Sequence, residues 1–234
     1  HVRPGTGHTE ECVPKKPTIE LPALRERHKA SLKVRGFIAG AWFGNTPAQM
    51  VDWAMKQKLN DFLFQAAGYE EATEWSEAIV KGEILPRGFI LSVGHHSFYT
   101  FLSPDKYFKE HPEWFPLIGG KRVPGGRQNG QFCLSNPDAA KTYRENVLAF
   151  IAKHPEVDVF ALYPNDGYGW CECENCRTGV KWEERPQYEA TQDLYLKLIN
   201  PLVPEVKQRF PGKRLGIAAY VNYTQPPEKE RPAP

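Results

Sequence analysis

The chain has 234 residues, 41% hydrophobic and 25% charged, with a formal net charge of +2. That length suits one sizeable core rather than two ordinary domains, and the composition excludes a disordered chain. A near-neutral balance without a long Lys/Arg block argues against nucleic acid as a partner, and no apolar run approaches the roughly 18 residues of a membrane span.

The sequence begins at His1 rather than Met and shows no apolar signal segment there, as expected of a processed chain or a piece of something longer. Residues 1–32 hold Pro4, Pro14, Pro17 and Pro22 with little apolar periodicity. They read as a lead-in segment or the tail of a preceding domain. Cys12 lies in this stretch, apart from the other cysteines.

From residue 33 the pattern alternates. Val34–Ala41 suits a core strand, and Pro47–Lys58 a helix with Met50, Val51, Ala54 and Met55 on one face. Asp61–Gln65 suits a second strand, Glu70–Lys81 a second helix with glutamates in its first turn, and Arg87–Val93 a third strand ending at His95-His96. Strand–helix alternation of this kind predicts parallel pairing through right-handed crossovers.

The run from Ser97 to Ser135 is too long for an ordinary connection and contains a hairpin around Leu117–Val123. Asn136-Pro137 then pairs an N-cap residue with a proline suited to the first helical position, opening a third helix to about Lys153. Tyr143, Val147, Phe150 and Ile151 form its expected buried stripe.

Val157–Tyr163 is apolar and rich in β-branched and aromatic residues, as in a strand buried on both faces. Pro164 ends it, and Asn165-Asp166-Gly167 follows. Parallel α/β sheets place reacting groups where such strands end, which makes Asp166 the leading candidate for chemistry. The plainer reading is a turn, because Asn, Asp and Gly favour turns on local grounds. Residues 187–210 carry one or two helices broken near Pro201 and Pro204. Arg214–Tyr220 is a fifth strand, and the chain ends in a proline-rich tail over 228–234.

The expected fold is therefore α/β: a parallel (β/α)8 TIM-type barrel, of which residues 33–227 supply about five βα units. An open sheet is the alternative. Cys171, Cys173 and Cys176 lie within six residues, and Cys133 comes from the insertion. Four thiolates suit a closed structural zinc site, with two disulfides as the competing reading. Four cysteine ligands leave no open position for water, so no cofactor is expected for catalysis.

Two motifs carry a family resemblance. One runs from His111-Pro112-Glu113-Trp114-Phe115 through Gly120-Lys121-Arg122 to Gln131-Phe132-Cys133-Leu134-Ser135-Asn136-Pro137. The other is Asn165-Asp166-Gly167 followed by Cys171-Glu172-Cys173-Glu174-Asn175-Cys176. Together they resemble glycoside hydrolase family 163, a bacterial family formerly known as a domain of unknown function. The resemblance covers about Arg35 to Pro227. It implies a (β/α)8 barrel with endo-β-N-acetylglucosaminidase activity on N-glycans, an oligosaccharide or glycoprotein glycan as partner, and a secreted, periplasmic or cell-surface location.

It also implies roles. Asp166 is the acid with Asn165 orienting the substrate's acetamide in a retaining, substrate-assisted reaction, or Asp166 orients the acetamide and the acid comes from elsewhere. His95, with His96 as its competitor on the opposite face, is a candidate ligand for a sugar hydroxyl or partner to the carboxylate. Trp42, Gln65, Tyr163, Tyr220, Asn222 and Tyr223 also sit at strand ends and are candidates to line a sugar subsite. An α-glucuronidase-like specificity is the first alternative and would need a basic grip on a uronic acid, for which Arg35 and Arg122 are the nominees. A non-catalytic glycan-binding barrel is the second, and a small zinc-binding adaptor the third.

Overall fold

The structure, a computed structural model, describes residues 29–39, 47–64, 80–126, 130–177 and 191–234, with Thr18, Glu20, Ala23 and Arg25. Five parallel strands form the main sheet: β1 (Gly36–Ala39), β2 (Asp61–Phe64), β3 (Ile90–His96), β6 (Val159–Tyr163) and β7 (Arg214–Gly216). They adjoin in chain order, β1-β2-β3-β6-β7, with no reversal of direction along the sheet. A short antiparallel hairpin, β4 (Leu117–Ile118) with β5 (Lys121–Arg122), stands in the insertion at the expected place.

The helices are α1 (Pro47–Lys56), α2 (Phe98–Phe101), α3 (Pro104–Tyr107), α4 (Pro137–Lys153), α5 (Glu174–Arg177), α6 (Thr191–Ile199) and α7 (Leu202–Arg209). The expected helix at 70–81 lies outside the described residues except at its end, where Val80–Ile84 forms a π-helical turn. In α1 the apolar face is narrower than the spacing suggests, with Val51 and Ala54 buried and Met55 exposed. Residues 98–114 fold into α2, α3 and a single 3-10 turn, pieces too short to show a period.

Helix α4 begins and ends where the sequence places it. The Asn136 side-chain oxygen accepts from the backbone N–H groups of Asp138 and Ala139, each at 3.0 Å, which satisfies donors that have no intrahelical partner. Its buried residues include Tyr143, Val147 and Ile151, which join Phe62, Leu91, Val93, Phe160 and Leu162 of the sheet in one core. Helix α6 adds Tyr195, whose buried hydroxyl donates to the Leu162 carbonyl at 2.7 Å.

Those strand residues all fall on one face, because alternate residues along a strand point to opposite sides. The pairing register puts Gly36, Asp61, Ser92, Gly94, Ala161 and Gly216 on the other. This second face mixes those small and polar residues with Ile38, Leu63, Ile90 and Val159. The Ser92 hydroxyl donates to Asp61 Oδ1 at 2.7 Å, and burial raises the Asp61 pKa against the pull of Ser92 and Arg214. Gly94 has φ +112°, and a Cβ there would stand 2.1 Å from the Ala161 carbonyl oxygen. Only glycine fits where β3 meets β6.

Residues 228–234 have no regular secondary structure, yet they are fastened to the core. Asp193 of α6 accepts from the backbone N–H groups of Glu228, Lys229 and Glu230 at 3.1, 3.0 and 2.7 Å. The Asn200 side chain donates its Nδ2 to the Arg231 carbonyl and accepts from the Ala233 N–H at Oδ1.

Candidate active site

The C-terminal ends of β3 and β6 bring together His95, His96, Tyr163 and Asp166. Tyr220, beyond the end of β7, joins them. Asp166 sits just past Pro164 with its side chain half exposed, and its Oδ1 lies 3.7 Å from His96 Nε2. The His96 ring is held from behind, with Nδ1 2.6 Å from the Pro164 carbonyl oxygen. A carbonyl can only accept, so Nδ1 carries the proton and Nε2 is left to face the carboxylate. With a neutral imidazole and an ionised carboxylate, two lone pairs would confront each other. The contact is attractive when a proton resides on either partner.

His95 pairs in register with Leu162, whereas His96 pairs with Tyr163. The two imidazoles therefore leave the strand on different sides. The His95 ring packs edge-on against His96 and Tyr163, with centroids 4.1 and 5.5 Å apart. Burial, and next the neighbouring His96, lower the His95 pKa to about 4, against the opposing effect of Asp166. Of the two histidines, His96 is the one in ion-pair range of Asp166.

Asn165 is placed differently from its sequence reading. It is only 4% exposed. Its Oδ1 accepts from Tyr99 N at 2.7 Å and its Nδ2 donates to the Gly130 carbonyl at 3.1 Å. Its backbone N–H and carbonyl are both engaged by the side-chain amide of the fully buried Gln131, at 2.9 and 2.8 Å. Gln131 lies in the resembling motif, and nothing in the spacing of residues singled it out. The Asn165 amide joins the insertion to the end of β6 and does not face the opening.

Tyr220 is exposed, with its ring 5.7 Å from that of His96. Tyr223 turns inward instead. It is 1% exposed, packs on Trp170 and Tyr195, and its backbone carbonyl accepts from the buried Gln192 amide. Burial raises its phenol pKa. Between the two tyrosines, Val221 adopts φ 42°, a conformation β-branched residues rarely take. Asn222 lies in the same 3-10 turn; its side chain, like Trp42 and Gln65, falls outside the described residues.

Neither arginine nominated for a uronic carboxylate reaches the Asp166 cluster. Arg35 precedes β1, at the opposite end of the sheet, and donates to the carbonyls of Leu32 and Lys58. Arg122 donates to the Phe115 carbonyl at 2.6 Å and lies 3.5 Å from Cys171 Sγ. A cleft of about 470 Å³ between α6, Ile217–Ala219 and Pro226–Pro232 shares no lining residue with the Asp166 cluster.

Cys133, Cys171, Cys173 and Cys176 converge where the insertion meets the loop after β6. Their sulfurs all lie within 4.8 Å of one another, and all four are free thiols. Hydrogen bonds from Cys171 and Cys176 hold the Cys133 thiol far below its ordinary pKa, whereas the same network pushes Cys176 far up and Cys171 to about 11. The insertion is strapped to the loop after β6 around them. Gly130 and Gln131 donate to the carbonyls of Tyr168 and Gly169, and Glu172 donates to that of Leu117.

No curated protein matches the chain. Solved structures with a related chain path include an α-galactosidase from Lactobacillus brevis, with TM-score 0.48 and 12% identity over 80% of this chain. An O-GlcNAc hydrolase mutant from Thermobaculum terrenum gives TM-score 0.42 and 10% identity over 81% of this chain. A GH42 β-galactosidase mutant from G. stearothermophilus gives 0.39 and 14% over 86%. The chain spans 27%, 36% and 29% of these three proteins. Over residues 6–234 the sequence matches the model of the family described as domain of unknown function DUF4838, and the chain belongs to that family.

Proposed function

We propose that the chain is part of a glycoside hydrolase acting on N-acetylglucosamine-containing glycans, with its five-stranded sheet an arc of a (β/α)8 barrel. Sequential parallel strands, with the Asp61–Ser92 pair on the second face, support the barrel reading. The resemblance of the two motifs to glycoside hydrolase family 163 supports the substrate class.

The observation that carries the proposal is the His96–Asp166 pair at the strand ends, with Tyr163 and Tyr220 beside it. Cleaving a glycosidic bond needs a proton for the departing oxygen. The Pro164 carbonyl fixes the His96 tautomer with Nε2 toward the Asp166 carboxylate, and Asp166 is the group exposed to deliver a proton. Tyr220 and Tyr163 offer flat faces for sugar rings. Asn165 acts as a positioning residue, holding the base of the Asp166 loop through Tyr99 and Gly130. In a substrate-assisted reaction the group that orients the acetamide then comes from elsewhere.

The test is release of glycans from an N-glycosylated protein by the full-length protein and by Asp166→Asn. Release by the wild type and a loss of about 10²-fold or more in the variant are expected. Equal release by both would remove Asp166 from the acid role. Glycan binding without release by either would favour a non-catalytic glycan-binding module.

A further inference from the structure

We propose that Cys133, Cys171, Cys173 and Cys176 form a tetrathiolate zinc site that locks the insertion to the loop bearing Asp166. This stands independently of the glycosidase reading. Cys133 Sγ lies 3.7 Å from Cys173 Sγ and 3.8 Å from Cys176 Sγ. A tetrahedron with Zn–S bonds of about 2.3 Å has edges of about 3.8 Å. These two of the six separations match such edges, and all six lie within 4.8 Å. The two are nearly twice the roughly 2.05 Å of a disulfide.

The surroundings suit a closed, anionic site. Cys133, Cys171 and Cys176 are each at most 3% exposed, and Cys173 is only partly open. The Leu117 backbone N–H points at Cys171 Sγ from 3.3 Å, and the Arg122 guanidinium approaches the same sulfur at 3.5 Å. Both offset the charge that four thiolates leave in excess around a divalent ion. The Ser135 hydroxyl lies 3.1 Å from Cys176 Sγ and 3.4 Å from Cys133 Sγ. These partners orient the ligands from a second layer. Each thiol gives up its proton on binding, and with all four corners taken by sulfur the ion has no position for substrate or water.

The ligands come from two places in the chain. Cys133 ends the insertion, two residues after Gln131, and the other three follow the Asn165-Asp166 turn. A metal at their centre would cross-link the two segments that Gln131 and Asn165 already join.

The experiment is metal analysis of the full chain purified without chelator, with Cys173→Ser, Cys176→Ser and Cys12→Ser as variants. Stoichiometric zinc is expected in the wild type and in Cys12→Ser. At least a tenfold loss is expected in the other two. Because misfolding alone can strip metal from a ligand variant, wild-type protein is also stripped with a chelator and reloaded with Co²⁺. A tetrahedral cobalt–thiolate spectrum that disappears on adding Zn²⁺ is expected. Purified protein with two disulfides, with stoichiometric iron, or metal-free with no cobalt spectrum would overturn the proposal.

Discussion

His96, at the end of β3, and Asp166, in the loop after β6, meet at the rim of the sheet, Nε2 3.7 Å from Oδ1, with the Pro164 carbonyl holding the imidazole ring. If the two groups handle one proton, their contributions to catalysis are not independent. His96→Phe should lower kcat for glycan release by about 10- to 100-fold. In Asp166→Asn the same change should cost almost nothing more. A double-mutant cycle checks this, and additive losses would mean that the residues act separately.

Asn165 links the insertion to β6 through the Tyr99 N–H and the Gly130 carbonyl. Truncation to Ala leaves a largely buried donor and acceptor without partners, at about 1–3 kcal/mol. Urea unfolding should show a loss of about 2 kcal/mol for Asn165→Ala. Gln131→Ala should cost a similar amount and raise amide exchange at Asn165, whose N–H the Gln131 side chain covers.

His95 predicts an acid sensitivity of the fold. Its folded pKa of about 4 lies below the usual value of 6.5, chiefly through burial. The folded state disfavours the charged ring, so the contribution is fully present above pH 6.5 and falls away as pH drops from there to about 4. The ring is partly solvated, so screening leaves on the order of 1 kcal/mol of the effect. His95→Gln should flatten the decline of Tm between those two pH values. An unchanged slope would assign the sensitivity to other groups.

Val221 turns the chain so that Tyr220 reaches the rim while Tyr223 enters the core. Its left-handed φ of 42° stores strain in an exposed β-branched residue. Such conformations cost about 1–3 kcal/mol. Val221→Gly should raise stability by about 1 kcal/mol after the added chain entropy of glycine is subtracted. Denaturant midpoints of the two proteins check the sign.

Much of this arrangement was legible from short-range patterns. Apolar runs located the five strands, and Asn136-Pro137 located the start of α4, because capping is decided by neighbouring residues. That His96 rather than His95 lies in ion-pair range of Asp166 was not legible, since it depends on the register between β3 and β6. Tyr223 resembled Tyr220 as a strand-end aromatic, but a strained turn between them sends one inward. Asn165 looked like a chemical group because its partners, Tyr99 and Gly130, lie 66 and 35 residues away. The tail looked loose because the carboxylate that holds it belongs to α6.

The crossing of Gly130 and Gly169 bears on how a ligand would be admitted. A Cβ on Gly169 would lie 2.8 Å from the Gly130 backbone, and one on Gly130 would lie 2.4 Å from Gly125 Cα. Main chain touches main chain there, with no side chain between to act as a bearing. The backbone around Gly125, Gly130 and Gly169 then behaves as masonry rather than as a flap, and the outline it gives to any opening is cast when the protein folds. Discrimination among ligands would follow from how well a rigid guest matches that outline, with association rates insensitive to solvent viscosity beyond simple diffusion.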